Sequence, residues 1–296
     1  MTRRDLFKWL SRLALTGASI GTYALAIEPG FLLRTQYYAL TPPRWTNGLK
    51  LRLVLIADPH LGEPYMGLSR WNRILDVANS LEGDLILLLG DYAAGHRFIT
   101  SRINVADTAQ AAKKLKAPLG TFAIIGNHDW WSDPIAQKLG HGPTEGQRAF
   151  ENAGIPVLEN KATRLVKDNL PFWLSGTASI VAIRKGNGRY EGRDDLPGTL
   201  AQITDEAPII HLAHEPDLFT QIPPRVSLTL SGHTHGGQVR LMGWSPVVPS
   251  EFGNRFAYGH IIEEDRHLIV SGGLGCSIAP IRIGVPPEIT VVDLTG

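Results

Sequence analysis

From residue 49 onward, short apolar runs alternate with segments whose apolar positions recur every three to four residues. "LKLRLVLIA" (49–57) predicts a strand that ends buried, and "LSRWNRILDVANSL" (68–81) predicts a helix with Leu68, Trp71, Ile74, Leu75, Ala78 and Leu81 on one face. "DLILLLG" (84–90) is apolar on both faces, as a central strand requires. A weaker helical pattern at 106–117 leads into another strand, "LGTFAIIG" (119–126), so the first half reads βαβαβ. Open α/β sheets of this kind bind ligands in the loops beyond the carboxyl ends of their strands. Several short strands with turn residues follow over 156–183, and "APIIHLAHEPDLF" (207–219) returns to strand then helix. "VSLTLSG" (226–232), "HLIVSGG" (267–273) and "EITVVDL" (288–294) finish as strands, which favours one two-sheet domain over 49–296 with helices outside.

The polar residues that close these strands form a series. Strand ends supply Asp58 and His60 ("ADPH"), Asp91 ("GD"), Asn127 and His128 ("GNHD"), His214 ("LAHEP"), and His233 and His235 ("GHTHGGQ"). If the last stretch continues as an extended strand, its two imidazoles face the same way, because side chains there repeat every second residue. Glycines 232, 236 and 237 would let backbone approach a ligand closely. Carboxylate, imidazole and amide without thiol suit manganese, iron, zinc or magnesium, and argue against copper and iron–sulfur centres. His211 would point away from His214 on a shared strand and is set aside as a ligand, and Arg282 reads as structural. Trp130 and Trp131 follow "GNHD" and either line an apolar approach or pack beneath the loop.

Composition narrows the rest. The 296 residues carry a net charge of +1, so no specific nucleic-acid binding is expected, and the single Cys276 excludes an intramolecular disulfide or a thiolate-rich cage. Residues 1–30 lie outside the predicted fold: Arg3 and Arg4 precede an apolar stretch from Leu13 to Ile27, which resembles a twin-arginine export signal, cleaved or kept as a membrane anchor. As a helix that stretch spans ~22 Å, short of the ~30 Å hydrocarbon core. Residues 31–48, with "ALTPPRWTNG", read as a linker.

The set "DPH", "GD", "GNHD", "H" of "LAHEP" and "GHTH" resembles the calcineurin-like metallophosphoesterase family over about 50–295. "LAHEPD", "SGHTHGGQ" and "SGGLGCSIAPIRIGVPPEI" are similar to its exported or membrane-tethered bacterial branch, which includes UDP-2,3-diacylglucosamine hydrolases. The resemblance implies an α/β fold, a four-layer αββα sandwich with mixed sheets, and two divalent ions, manganese foremost with iron, zinc or magnesium as alternatives. It assigns Asp58, His60, Asp91 and His235 to one ion and Asp91, Asn127, His214 and His233 to the other, with Asp91 shared. His128 would stand beside the phosphate and protonate the leaving oxygen, while a bridging hydroxide attacks in line.

The expected activity is hydrolysis of a phosphodiester or pyrophosphate bond in a phosphorylated small molecule or lipid-linked substrate. The expected partners are the membrane, through the N-terminal segment, and the twin-arginine export machinery. That machinery implies the exported side, with the cytoplasmic face as alternative. Two other readings stand: a wall- or membrane-binding protein that keeps the metals without turnover, and a nucleotide or nucleic-acid phosphodiesterase.

Overall fold

The computed structural model describes residues 2–296. Two mixed sheets face each other. The first is ordered Arg34–Leu40, Glu288–Leu294, Leu51–Ile56, Leu85–Leu88, Thr121–Ala123; the second is ordered Gly259–Glu263, Arg266–Val270, Leu228–Ser231, Ile209–Leu212, Leu170–Gly176, Lys161–Lys167. The period-two alternation of strand side chains divides the apolar residues between layers. Leu53, Leu55, Leu85 and Leu87 turn inward onto Phe172, Leu174, Ile210, Leu212 and Leu230 of the second sheet, forming the central core. Their neighbours Val54, Ile56, Ile86 and Leu88 turn outward onto Trp71, Ile74, Leu75 and Ala78. Those four occupy the buried face of the helix Leu68–Ser80. Behind the second sheet, Ile209, Leu268 and Val270 pack on Leu218, Phe219 and Leu196. The result is the expected four-layer arrangement.

Three local expectations are corrected. Residues 31–48 are not wholly a linker: Arg34–Leu40 is an edge strand paired in parallel with Glu288–Leu294. Its polar, half-exposed sequence hid it, because an edge strand buries only part of one face; Arg34 anchors it to buried Glu288 at 2.7 Å. Second, the helix expected after His214 is a 3₁₀ helix, over Pro216–Gln221.

Third, the N-terminal segment is one continuous helical stretch over Arg3–Phe31, with a π-helical turn at Tyr23–Ile27, not an isolated fifteen-residue span. Residues 3–22 bury nothing, but the end of the stretch belongs to the domain. Ala24, Glu28 and Pro29 are buried there, and Arg70 Nη1 donates to Pro29 O at 2.6 Å.

Candidate metal centre

The predicted site residues meet where the carboxyl edges of the two sheets abut. Backbone hydrogen bonds join the loops that leave those edges: Asp58 N to Gly90 O at 3.1 Å, His60 N to Asp91 O at 3.0 Å, and Gly232 N to His214 O at 3.1 Å. The loops turn sharply. Asp58, His60, Asp91, His233 and His235 all adopt positive φ, between 43° and 69°. For non-glycine residues such backbone costs of order 1–3 kcal/mol each and persists only where the surroundings fix it. Neither "DPH" nor "GHTH" is therefore extended, contrary to the strand reading. The strand before "GHTH" ends at Ser231, and reversals at His233 and His235 send the two imidazoles to different groups of side chains.

Three triads of ligand atoms, each within 4.8 Å, gather at the junction: Asp58, His60 and His235; Asp91, His214 and His233; and His60, Asp91 and His128. His60 Nε2 lies 3.1 Å from His235 Nε2 and 3.5 Å from Asp91 Oδ2. His214 Nε2 lies 3.2 Å from Asp91 Oδ2 and 3.8 Å from Asp58 Oδ1. Asn127 Oδ1 lies 2.8 Å from His233 Nδ1, completing the second group. The third triad places His128 within reach of the same centre, beside the two groups of expected ligands.

The donor chemistry fits divalent cations. His60 Nδ1 faces Ala93 O at 3.0 Å and His214 Nδ1 faces Leu89 O at 2.6 Å. Each ring thus spends its one N–H on a carbonyl and turns the Nε2 lone pair to the centre, the arrangement in which imidazoles bind metals. His214 Nε2 and Asp58 Oδ2 are buried without a hydrogen-bond partner, which is costly unless a cation satisfies them.

Charge agrees with this. Burial, helped by neighbouring imidazoles, pushes His60 and His233 down to about 3 and His235 well below the usual imidazole value, leaving neutral donors. Burial opposes charge on His214 too, but Asp91 and Asp58 overcome it and raise that pKa well above the ordinary value. Asp58 is pushed up to about 7 by burial, with His214 opposing. Asp91 is held well below the carboxylate range despite burial, by His214, His128 and His60. Positive charge is therefore favoured beside Asp91, where His214 sits.

Glycines have narrower roles than expected. A Cβ at Gly232 would come 2.5 Å from Asp58 Oδ2 and one at Gly126 would come 2.2 Å from Asp91 Oδ1, so both keep the ligand carboxylates in place. Gly236 and Gly237 instead admit Val285 and Ser245.

Asp129 is the residue that the sequence reading missed. Its carboxylate accepts the backbone N–H groups of Asp91, Tyr92, Ala93 and Gly126 at 2.9–3.0 Å. One buried side chain therefore ties the Asp91 loop to the Asn127–His128 turn. The signal was present: an acid three residues after Gly126 at a helix start is the reaching-back half of a capping box.

Arg282 is fully buried and structural, as read, but its Nη2 also lies 3.1 Å from His235 Nδ1. His211 is no ligand; it contacts Ser175 Oγ at 2.9 Å, away from the centre. Trp130 is buried packing. Trp131 flanks His128 at 5.0 Å and carries the Arg184 guanidinium at 4.3 Å on its ring.

A β-sandwich with carboxylates and imidazoles gathered at its strand ends is the architecture of a metal-dependent phosphoester hydrolase. Residues 51–237 match the calcineurin-like phosphoesterase family, and the chain belongs to it. An uncharacterized metallophosphoesterase of Bacillus subtilis, YkuE, is 31% identical over 99% of this chain and 98% of its own length. A phosphodiesterase of Escherichia coli, YaeI, is 30% identical over 84% of this chain and 83% of its own. A transmembrane protein with metallophosphoesterase domain from Danio rerio is 32% identical over 94% of this chain, which spans 60% of that longer protein.

Proposed function

We propose that the chain is a two-metal phosphodiesterase acting at a membrane surface on a phosphodiester or pyrophosphate bond of a lipid-linked substrate. Asp58, His60, Asp91 and His235 would hold one ion, and Asp91, Asn127, His214 and His233 the other. The observation that carries this reading is the convergence of the Nε2 atoms of His60, His214 and His235 on the Asp58 and Asp91 carboxylates, all of them buried. When bound, such a pair of ions polarises a phosphoryl oxygen and lowers the pKa of water to about 7.

The chain's own residues do the rest. Asp91 sits between the two groups and would offset the repulsion of the ions they hold. The backbone N–H of His128 donates to Asp91 Oδ1 at 2.8 Å, so the turn carrying His128 is fixed against the centre. Its ring meets Ser277 Oγ through Nε2 at 3.2 Å. Burial lowers the pKa of His128, while the Asp91 carboxylate favours its charged form. The net effect is downward and favours the neutral ring, whose single N–H would serve the leaving oxygen in this proposal. In the overall reaction a water oxygen bonds to phosphorus, the P–O bond to the leaving group breaks, and that oxygen takes up a proton.

The membrane part of the proposal rests on the exposed apolar helix Arg3–Phe31 and on the transmembrane relative. We place manganese first among the metals and leave both faces of the bilayer open to the domain. On the exported side, reached by a twin-arginine signal, the substrate would be an envelope phosphodiester. On the cytoplasmic side a nucleotide-linked acylated sugar resembling UDP-2,3-diacylglucosamine fits.

The test is metal analysis with hydrolysis of bis-p-nitrophenyl phosphate by the full chain. Turnover that requires Mn²⁺ and disappears in Asp91→Ala is the expected result. Metal bound without turnover would instead indicate a binding protein. Location after replacing Arg3 and Arg4 by Lys tests export.

A further inference from the structure

The end of the apolar N-terminal helix and one wall of the metal centre are linked through a single residue. Arg282 N donates to Ala24 O at 2.9 Å, and the same residue's guanidinium reaches His235. A single buried arginine thus joins the helix end to a candidate ligand. The loop that follows "GHTHGGQ" is pinned beside it, through the Val239–Ile283 bridge and Arg240 N to Ile283 O at 2.8 Å.

That loop is unusual for a water-facing segment. Leu241, Met242, Trp244 and Val247 are all at least 60% exposed, and so is Ile278. Between Val247 and Ile278 opens a cavity of ≈ 210 Å³ lined by Val239, Pro246, Ala279 and Ile281, with His235 in its wall. Exposed apolar side chains contiguous with an apolar pocket mark a binding surface. The neighbouring helix identifies the medium. It offers Phe7, Leu13, Leu15, Ile20, Leu25 and Phe31 to its surroundings. The 20 residues of Arg3–Thr22, which bury nothing, measure ~30 Å at ~1.5 Å each, matching a bilayer core of ~30 Å.

We propose that this face rests on the lipid bilayer and that the cavity beside His235 receives a hydrocarbon chain of the substrate. The scissile phosphate would then lie at the metal centre while the chain stays in apolar surroundings. This rests on the phosphodiesterase reading and adds to it a specificity-determining site: Val247 and Ile278 select acylated over water-soluble phosphodiesters. The reaction is hydrolysis as above, with the alkyl phosphate and the aryl alcohol as products of the test substrates.

The experiment uses the full chain in phosphatidylcholine nanodiscs with p-nitrophenyl alkyl phosphates lengthened stepwise from ethyl to decyl. Burial of each methylene is worth about 0.8 kcal/mol, so kcat/KM is expected to rise about fourfold per carbon until the cavity is filled. Val247→Asp and, separately, Ile278→Asp flatten that rise while bound Mn²⁺, read by metal analysis, stays that of the unaltered protein; both positions are exposed, so neither change burdens the core. A flat series in the unaltered protein overturns the proposal, as does a slope that survives both substitutions. Absence of turnover on bis-p-nitrophenyl phosphate would be a different failure, that of the phosphodiesterase reading itself.

Discussion

The Asp129 carboxylate accepts the backbone N–H of Asp91 at 2.9 Å, and through its other bonds holds Gly126 in the next loop. Geometry at the shared candidate ligand therefore depends on a side chain that points away from the centre. Burial and Asp91 push the Asp129 pKa up to about 7, and the backbone donors oppose this.

Asp129→Asn replaces one acceptor oxygen by an NH₂ that confronts backbone donors. Leaving such buried groups unpaired costs on the order of 1–3 kcal/mol each. Metal affinity and activity are expected to fall about 10- to 100-fold, as for other residues that orient ligands. Isothermal titration with Mn²⁺ checks this. Unaltered affinity in a stably folded variant would refute the positioning role.

His211 supplies a pH test outside the site. Burial lowers its pKa from 6.5 to about 3, so the folded protein keeps it neutral while the unfolded chain protonates it. Between those values the unfolded state binds more protons, and stability falls as pH drops from about 6.5 toward about 3. The contribution is present above the unfolded pKa and declines by up to about 1.4 kcal/mol per pH unit within the window. His211→Asn is expected to be less stable at neutral pH, with the gap to the unaltered protein narrowing on acidification. Denaturant midpoints at a series of pH values would show parallel curves if this is wrong.

The N-terminal segment divides at Ala24. Deleting Thr2 to Thr22 removes residues that bury nothing, so thermal stability should not change while membrane association is lost. Extending the deletion through Leu40 removes a strand and the Arg34–Glu288 pair, and should lower Tm by several degrees. Equal stability of the two truncations would contradict the edge-strand assignment.

A second cavity, of ≈ 330 Å³, lies beside His128 and is flanked by Arg102, Arg184 and Trp131. Cations there should attract phosphate oxygens. Arg184→Ala and Arg102→Ala are each expected to weaken competitive inhibition by inorganic phosphate about tenfold, the scale of one charge-assisted contact. Inhibition constants that do not move would remove these arginines from substrate binding.

Much of the fold was legible because burial leaves a periodic trace. The apolar run through Leu53–Ile56 marked a buried strand, and the recurrence of Trp71, Ile74, Leu75 and Ala78 defined a helical face, while the division of the strand's side chains between two layers came from the packing. The identities at the strand ends, from Asp58 to His235, named the chemistry through donor type alone. Arg34–Leu40 left no such trace, since its pairing with Glu288–Leu294 is a contact between the two ends of the domain.

What folding alone decided is how those donors meet. Positive φ at Asp58, His60, Asp91, His233 and His235 redirects side chains that a strand would have aligned, and no local propensity encodes that choice. It is imposed by hydrogen bonds between loops far apart in sequence, such as His233 N to Asp58 Oδ1 at 2.8 Å, and by Asp129 gathering four amides. The chain by itself specified which side chains are candidate metal ligands and where most strands and helices fall. Only the tertiary structure joined His235, Arg282 and the helix end, because the Arg282–Ala24 contact depends on packing across more than 250 residues of separation.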